Sequence, residues 1–239
     1  MNTPVRLLIH GASGRMGEAL LRLCPDHGNA RIVAAVTGSA PPQRVIDGVP
    51  FFAASELGGA PEFDVAVDFS LPEGFDRILA ACVTRGAGLV SGTTGLTEAH
   101  RQSLSIASGS IPVLWASNFS LGVAVLADLV ERASRALPGW DCDVIEAHHI
   151  HKKDAPSGTA LTLGSVAAGA GHGVSYSSIR AGDIVGEHTV QFAGNGERLE
   201  LIHRATSRDV FAHGALTAAE RLKCRPPGTY TMRDVLFEA

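Results

Sequence analysis

Through its first half the chain alternates short β-branched or apolar runs with longer stretches whose apolar residues recur every three or four positions. Residues 5–10, 31–37, 64–69, 89–91 and 111–116 are runs of the first kind and read as strands buried on both faces. Residues 16–23, 72–85 and 97–108 are of the second kind and have helical length. Regular alternation of strand and helix predicts a parallel, doubly wound sheet.

From about residue 120 the pattern changes. Residues 121–137 form a long apolar helical stretch, 142–149 a strand, and 157–170 a helix rich in Ala and Gly. Residues 187–192 and 197–206 are strand-like and flank Ala193-Gly194-Asn195-Gly196, and an Asn-Gly pair in that setting predicts a hairpin. This part reads as a smaller α+β unit with an open antiparallel sheet. Residues 210–222 form a further amphipathic helix, followed by the loop Arg225-Pro226-Pro227-Gly228.

Composition narrows the class. With 27 Gly among 239 residues and 45% apolar residues the chain is globular, which excludes disorder and fibrous repeats, and its length suits one large domain or two modest ones. The 20 Lys and Arg against 24 Asp and Glu give a net charge of −4 with no cluster of five like charges, so no nucleic acid partner is expected. An anionic small molecule would be held by local devices instead. Cys24, Cys82, Cys142 and Cys224 lie far apart without CxxC spacing and read as buried apolar residues. The first apolar run is too short for a signal peptide, and no stretch of about 18 apolar residues occurs. The expectation is a reduced, cytoplasmic protein with no membrane partner.

Three constellations carry chemistry. Gly11-Ala12-Ser13-Gly14-Arg15-Met16-Gly17 closes the first strand and opens the first helix, where bare amides and a helix dipole can hold a pyrophosphate. The spacing is GxxGxxG where the usual fingerprint is GxGxxG; a tight βα turn is the alternative, and the position after the N-terminal strand favours a dinucleotide. The second strand ends Val36-Thr37-Gly38-Ser39, with no carboxylate for the ribose hydroxyls and no Arg directly there for a 2′-phosphate. Arg44 is within loop reach and Arg15 stands at the turn, so both NADH and NADPH stay open.

The loops Ser91-Gly92-Thr93-Thr94-Gly95 and Trp115-Ala116-Ser117-Asn118-Phe119-Ser120 follow later strands, at the edge where ligands of open sheets collect. They suit a nicotinamide ribose and ring, and equally suit ordinary turns. The third constellation runs Glu146-Ala147-His148-His149-Ile150-His151-Lys152-Lys153-Asp154-Ala155-Pro156-Ser157-Gly158-Thr159-Ala160. Ser157 can cap the following helix, the Gly158 and Thr159 amides face an incoming anion, Lys152 adds charge and a proton, and His148 and His149 titrate near neutrality. That is a carboxylate cradle. Adjacent histidines in a strand face opposite sides, and no HExxH or Cys ligand accompanies them, so no metal is expected; a surface loop with incidental histidines is the remaining alternative. His10, His27, His100, His172, His188, His203 and His213 read as structural or surface groups, with His188 the least certain because it lies near the hairpin.

These segments, with Asp68-Phe69-Ser70 and Ile179-Arg180-Ala181-Gly182-Asp183-Ile184-Val185-Gly186-Glu187-His188, occur in an order by which essentially the whole chain resembles the dihydrodipicolinate reductase (4-hydroxy-tetrahydrodipicolinate reductase) family. The resemblance implies a Rossmann-type doubly wound parallel sheet (residues 1–119 and 209–239) with an inserted α+β substrate and tetramerisation domain (120–208) carrying an open mixed sheet. It implies reduction of 4-hydroxy-tetrahydrodipicolinate, through its dehydrated form, to tetrahydrodipicolinate in the diaminopimelate route to lysine. NADPH or NADH would supply hydride, and the partners would be a small dicarboxylate heterocyclic substrate and three further copies of the chain. Position by position, it assigns coenzyme contacts to Gly11, Ala12, Ser13, Gly14, Arg15, Met16, Gly92, Thr93, Thr94, Ala116, Ser117, Asn118 and Phe119, with Thr37 at the ribose position. His148 and Lys152 become the catalytic pair, and His149, Lys152, Ser157, Gly158 and Thr159 the substrate ligands. Thr37-Gly38 departs from the acidic residue and Arg that many members carry, and residues 166–173 are short for the family, a loss expected to leave the site intact. Two rival readings are a non-catalytic NAD(P)-sensing protein, which would have no use for residues 152–159, and another Rossmann-type nicotinamide oxidoreductase, which would need a nucleophilic Cys or a Lys in a different context.

Overall fold

A computed structural model of the chain describes residues 3–237. The chain divides into two compact units, one holding the described residues up to Phe119 and from Phe211 onward, the other Ser120–Val210.

The first unit opens with β1 (Val5–His10), α1 (Arg15–Leu23), β2 (Ala30–Thr37), β3 (Val45–Ile46) and β4 (Val49–Ala53). It continues with β5 (Val65–Asp68), α2 (Pro72–Arg85), β6 (Gly88–Ser91), α3 (Glu98–Ala107) and β7 (Pro112–Trp115). The sheet order is β12-β7-β6-β5-β1-β2-β4-β3, with β12 being Gly228–Tyr230; every pairing is parallel except that of β3 with β4. Its central strands are buried along their whole length, which is why they read as unbroken apolar runs. Phe75, Ile78 and Cys82 of α2 and Leu104 of α3 join Leu8, Val36, Ala66 and Leu89 in one core. Pro72 starts α2 at a position where its missing N–H costs nothing, and Gly86 ends it at φ +63°.

The second unit holds α4 (Leu121–Ala136), β8 (Asp141–His148), α5 (Gly158–Gly169), β9 (Val174–Arg180), β10 (Gly186–Gly194) and β11 (Glu197–Ala205). The Asn195-Gly196 turn closes the β10–β11 hairpin in the expected register, Gly194 opposite Glu197, with Gly196 at φ +85°. The sheet order is β11-β10-β8-β9, and β9 runs parallel to β8. The sheet is therefore mixed, which corrects the all-antiparallel reading from the chain's own pattern: α5 carries the chain back to the start of β8, and a strand after such a crossover pairs parallel. Leu126, Val130, Val144, Leu163, Val190 and Phe192 form this unit's core. His172 bridges the carbonyls of Trp140 and Ser134 at 3.0 and 2.9 Å, as a structural histidine would.

The remaining elements are α6 (Asp209–Leu222), which begins at the unit boundary, and α7 (Met232–Phe237). Cys24, Cys82 and Cys142 are buried as expected, but Cys224 is exposed because α6 has already ended at Leu222. Among the described residues no helix is long and apolar enough to cross a membrane.

Candidate active site

In the first unit two of the three glycines of the βα turn, Gly11 and Gly17, are steric requirements. Gly11 has φ +81°, and a Cβ there would lie 2.5 Å from the Phe69 carbonyl oxygen; a Cβ on Gly17 would lie 2.3 Å from that of Gly11. The Gly11 and Ala12 amides donate to the Val36 carbonyl at 3.0 and 2.9 Å, tying the turn to the end of β2. Gly14 is the N-cap of α1 and brings no side-chain cap, so the positive end of that helix is left for a ligand. A cavity of about 450 Å³ opens beside the turn, lined among others by His10, Gly11, Ser13, Gly14, Gly38 and Arg77. A second, of about 720 Å³, is bordered by Ala12, Ser13, Thr37 and Phe51.

Asp68, at the end of β5, is the polar hub of this edge. It is fully buried and accepts from His10 Nδ1 at 2.8 Å, from the Ser91 and Thr93 hydroxyls at 2.8 Å each, and from the Ser70 amide at 3.2 Å. Burial pushes its carboxyl up, but the bonds from His10, Ser70 and Thr93 prevail and hold it below the ordinary value. Thr93 in turn accepts from Trp115 Nε1 through its carbonyl at 2.8 Å, so the loops after β5, β6 and β7 are bound together.

The predicted coenzyme residues thus gather at the C-terminal ends of the strands, but their side chains divide. Thr37 spends its hydroxyl on the Ser39 carbonyl at 2.7 Å, and the Thr93 hydroxyl is committed to Asp68. Gly92 is compelled by Phe69, whose ring a Cβ would approach to 2.2 Å. Phe119 is buried edge-on against Phe69. Ser13, Gly14, Arg15, Thr94 and Ser117 are exposed, with Met16, Ala116 and Asn118 intermediate. Arg44 pairs with Glu56 at 2.5 and 2.9 Å; that pairing, with the Ala53 amide, lowers the Glu56 carboxyl to about 2.

In the second unit, strand periodicity puts Glu146 and His148 on the same face of β8. Glu146 is 1% exposed and accepts from His148 Nδ1 at 2.5 Å, from Arg180 Nη1 and Nη2 at 2.8 and 2.7 Å, and from the Ser157 amide at 3.3 Å. Burial raises its carboxyl, yet the Arg180 fork and its other donors bring it to about 2. The anionic Glu146 makes Nδ1 the donor nitrogen of His148 and turns Nε2 toward Gly186, where a Cβ would come to 3.1 Å. Burial, with Lys152 and Arg180 nearby, lowers His148 against the opposing pull of Glu146.

Ser157 is the N-cap of α5, accepting from the Ala160 amide at 3.2 Å, and its hydroxyl also meets His188 Nε2 at 3.2 Å. Lys152 is held by Asp154 at 2.9 Å, and His149 Nε2 by Arg208 at 3.1 Å. Arg180 also reaches the Asp154 carbonyl at 2.6 Å, bracing the loop that carries Lys152. His148, His149, Lys152, Ser157, Gly158 and Thr159 are accordingly gathered around the end of β8 and the start of α5. Sequence reasoning left Glu146, Arg180 and His188 without roles. For Glu146 the signal was available, a carboxylate two places before a histidine on one strand face; for Arg180, far along the chain, it was not. Among the described residues no group of three or more His, Cys, Asp or Glu could hold a metal ion.

Known proteins resemble the chain throughout. The family model described as dihydrodipicolinate reductase, N-terminus, matches residues 5–119, and that described as its C-terminus matches residues 122–236. The chain is 70% identical over 235 residues to the 4-hydroxy-tetrahydrodipicolinate reductase of Stenotrophomonas maltophilia, covering 98% of each. It is 60% identical over 237 residues to that of Xylella fastidiosa, covering 99% of this chain and 100% of the relative. The fold matches a dipicolinate-bound dihydrodipicolinate reductase from Paenisporosarcina sp. TG-14 with a TM-score of 0.82 at 23% identity, covering 96% of this chain and 98% of that one.

Proposed function

The chain belongs to the dihydrodipicolinate reductase family, and from that premise we propose that it reduces 4-hydroxy-tetrahydrodipicolinate, in its dehydrated form, to tetrahydrodipicolinate. NADPH or NADH, held by the first unit, would supply the hydride. The residues fit such a coenzyme, because α1 has a glycine N-cap without a side-chain cap beside a cavity of dinucleotide scale. The second unit, to which the sequence reading gives residues 120–208, is the substrate and assembly domain in this proposal, and the remainder binds the coenzyme.

The observation that carries the catalytic assignment is the buried Glu146, which fixes one nitrogen of His148 and leaves the other for chemistry. Hydride arriving at a ring carbon leaves negative charge that must be met by a proton. Lys152 carries that proton. His148 assists as acid or base, and Glu146 stabilises the imidazolium whenever it forms. The substrate carboxylates take the α5 amides of Gly158 and Thr159, with His149 and Ser157 at the rim of the cradle.

The remaining parts of the reading are a cytoplasmic enzyme and a homotetramer built through the second unit's sheet. The test is oxidation of NADPH followed at 340 nm with freshly made precursor. Lys152→Ala and His148→Ala should each lower kcat by about a hundredfold or more while NADPH still binds. An unchanged kcat in either variant removes that residue from the mechanism. Binding of NADPH without turnover by the unaltered protein would favour a sensing role instead.

A further inference from the structure

His10 has no part in the reaction as described. It is the last residue of β1, is 3% exposed, and gives Nδ1 to Asp68, a buried carboxylate held in its ionised form. Two lone-pair acceptors cannot share one hydrogen bond, so Nδ1 carries the proton in its bond to the Asp68 carboxylate. The opposite edge of the ring is not walled in. His10 lines the 450 Å³ cavity with Gly11, Ser13 and Gly14, and no hydrogen bond joins its Nε2 to any described residue. Gly74, in the first turn of α2, keeps this edge accessible: a Cβ there would lie 3.1 Å from His10 Cε1 and 3.6 Å from Nε2.

A buried imidazole anchored at one nitrogen and open at the other beside a bare helix N-terminus is built for a ligand. We infer that His10 is a coenzyme-binding residue whose Nε2–H donates to a phosphoryl oxygen of the bound dinucleotide beside the turn at residues 11–17. The inference rests on the dinucleotide reading of the first unit. Asp68 anchors the ring; donation from Nε2 requires the doubly protonated ring, and in the complex the Asp68 carboxylate on one side and the phosphoryl oxygen on the other would hold that second proton. Arg44, in the loop after β2, pairs with Glu56 and is not among the residues that line this cavity. Glu73 and Arg77 do line the cavity, one turn apart on α2. In this proposal a 2′-phosphate would fall to Arg77, a contribution that 2′-AMP reads out separately from that of His10.

Calorimetric titration with NADPH, 5′-ADP, 2′-AMP and adenosine tests the assignment without turnover. His10→Ala should weaken NADPH and 5′-ADP about tenfold, the size of one charge-assisted hydrogen bond, and leave adenosine unchanged. Removing His10 strands the Asp68 carboxylate, so two further measurements keep the test independent of that variant's folding. Gly74→Ala, which shields Nε2 but leaves the His10–Asp68 pair in place, should weaken 5′-ADP in the same direction. In the unaltered protein the 15N resonance of His10 Nε2 should move on addition of 5′-ADP and stay put with adenosine. Equal binding of 5′-ADP by both variants, or a loss shared equally by adenosine, overturns the role of His10 and leaves the coenzyme reading standing. Failure of the unaltered protein to bind NADPH at all defeats both.

Discussion

At His188 a side chain that reads as a bland histidine in the sequence contributes to the unit's response to acid. It is 4% exposed, and burial, followed by the neighbouring His148 and His203, lowers its imidazole to about 4. The unfolded chain takes up that proton near pH 6.5, so between 6.5 and 4 the unfolded state binds more protons and stability falls as the pH falls. From pH 7 to pH 5 this amounts to about 2 kcal/mol. Glu146 acts in the same direction but lower, since its stabilisation is complete above the unfolded carboxylate value and disappears as the pH drops through about 2. His148 and His203, also lowered, share the upper window, so substitution is needed to separate the three. His188→Gln, which keeps a donor for Ser157, should flatten the loss of denaturation midpoint between pH 7 and pH 5 by about that amount; an unchanged slope would place the acid sensitivity elsewhere. These residues also mark the limit of legibility. The pairing of Glu146 with His148 follows from strand alternation, whereas the engagement of His10 with Asp68 depends on β1 and β5 lying side by side, which no local pattern announces.

Among the elements, α1 shows most directly how a sequence spacing becomes a binding device. Gly17 stands inside the helix, where glycine ordinarily costs about 1 kcal/mol relative to alanine, because its face lies against Gly11 and Ala12. Gly17→Ala should therefore gain no helix stability. It should destabilise the chain by about 1–3 kcal/mol and weaken NADPH about tenfold or more by displacing the turn, measured by denaturation and by calorimetry. A stabilised variant with unchanged affinity would show that the turn is not held by this packing. The longer helices and the central strands were legible because burial sets the period of the former and the unbroken apolar runs of the latter; β4 (Val49–Ala53) and the short α7 were not predicted. What escaped was the periphery: β9, Val174-Ser175-Tyr176-Ser177-Ser178-Ile179-Arg180, is mostly exposed and polar, so neither alternation nor an apolar run marks it. The two-residue β3 and three-residue β12 are too short to carry a period. The parallel pairing of β9 also lies beyond local pattern, because register with β8 is decided across α5.

For the molecule as a whole, β8 faces two tasks. Its inward residues Val144, Glu146 and His148 build the core and the candidate site, while Ile145 and Ala147 point to the other side of the sheet. The register extends that side into rows: Ile202, Thr189, Ile145 and Ser177 lie abreast, and beside them Arg204, Glu187, Ala147 and Ile179. No helix of the unit's core cluster packs on these residues, and Ile179 and Ile202 are 49% and 44% exposed. An apolar centre with charged neighbours such as Arg198, Glu200 and Arg204 has the make-up of an interface, with the β9 and β11 edges open to extension. This is the surface on which the proposed tetramer would assemble. Ile202→Glu places a charge at the β11 end of the row without entering the core, so the variant should keep its melting temperature as an isolated fold and sediment as a smaller species than the unaltered chain. Identical sedimentation of the two would move the assembly surface off this sheet, and a monomeric unaltered chain at micromolar concentration would remove the tetramer from the reading.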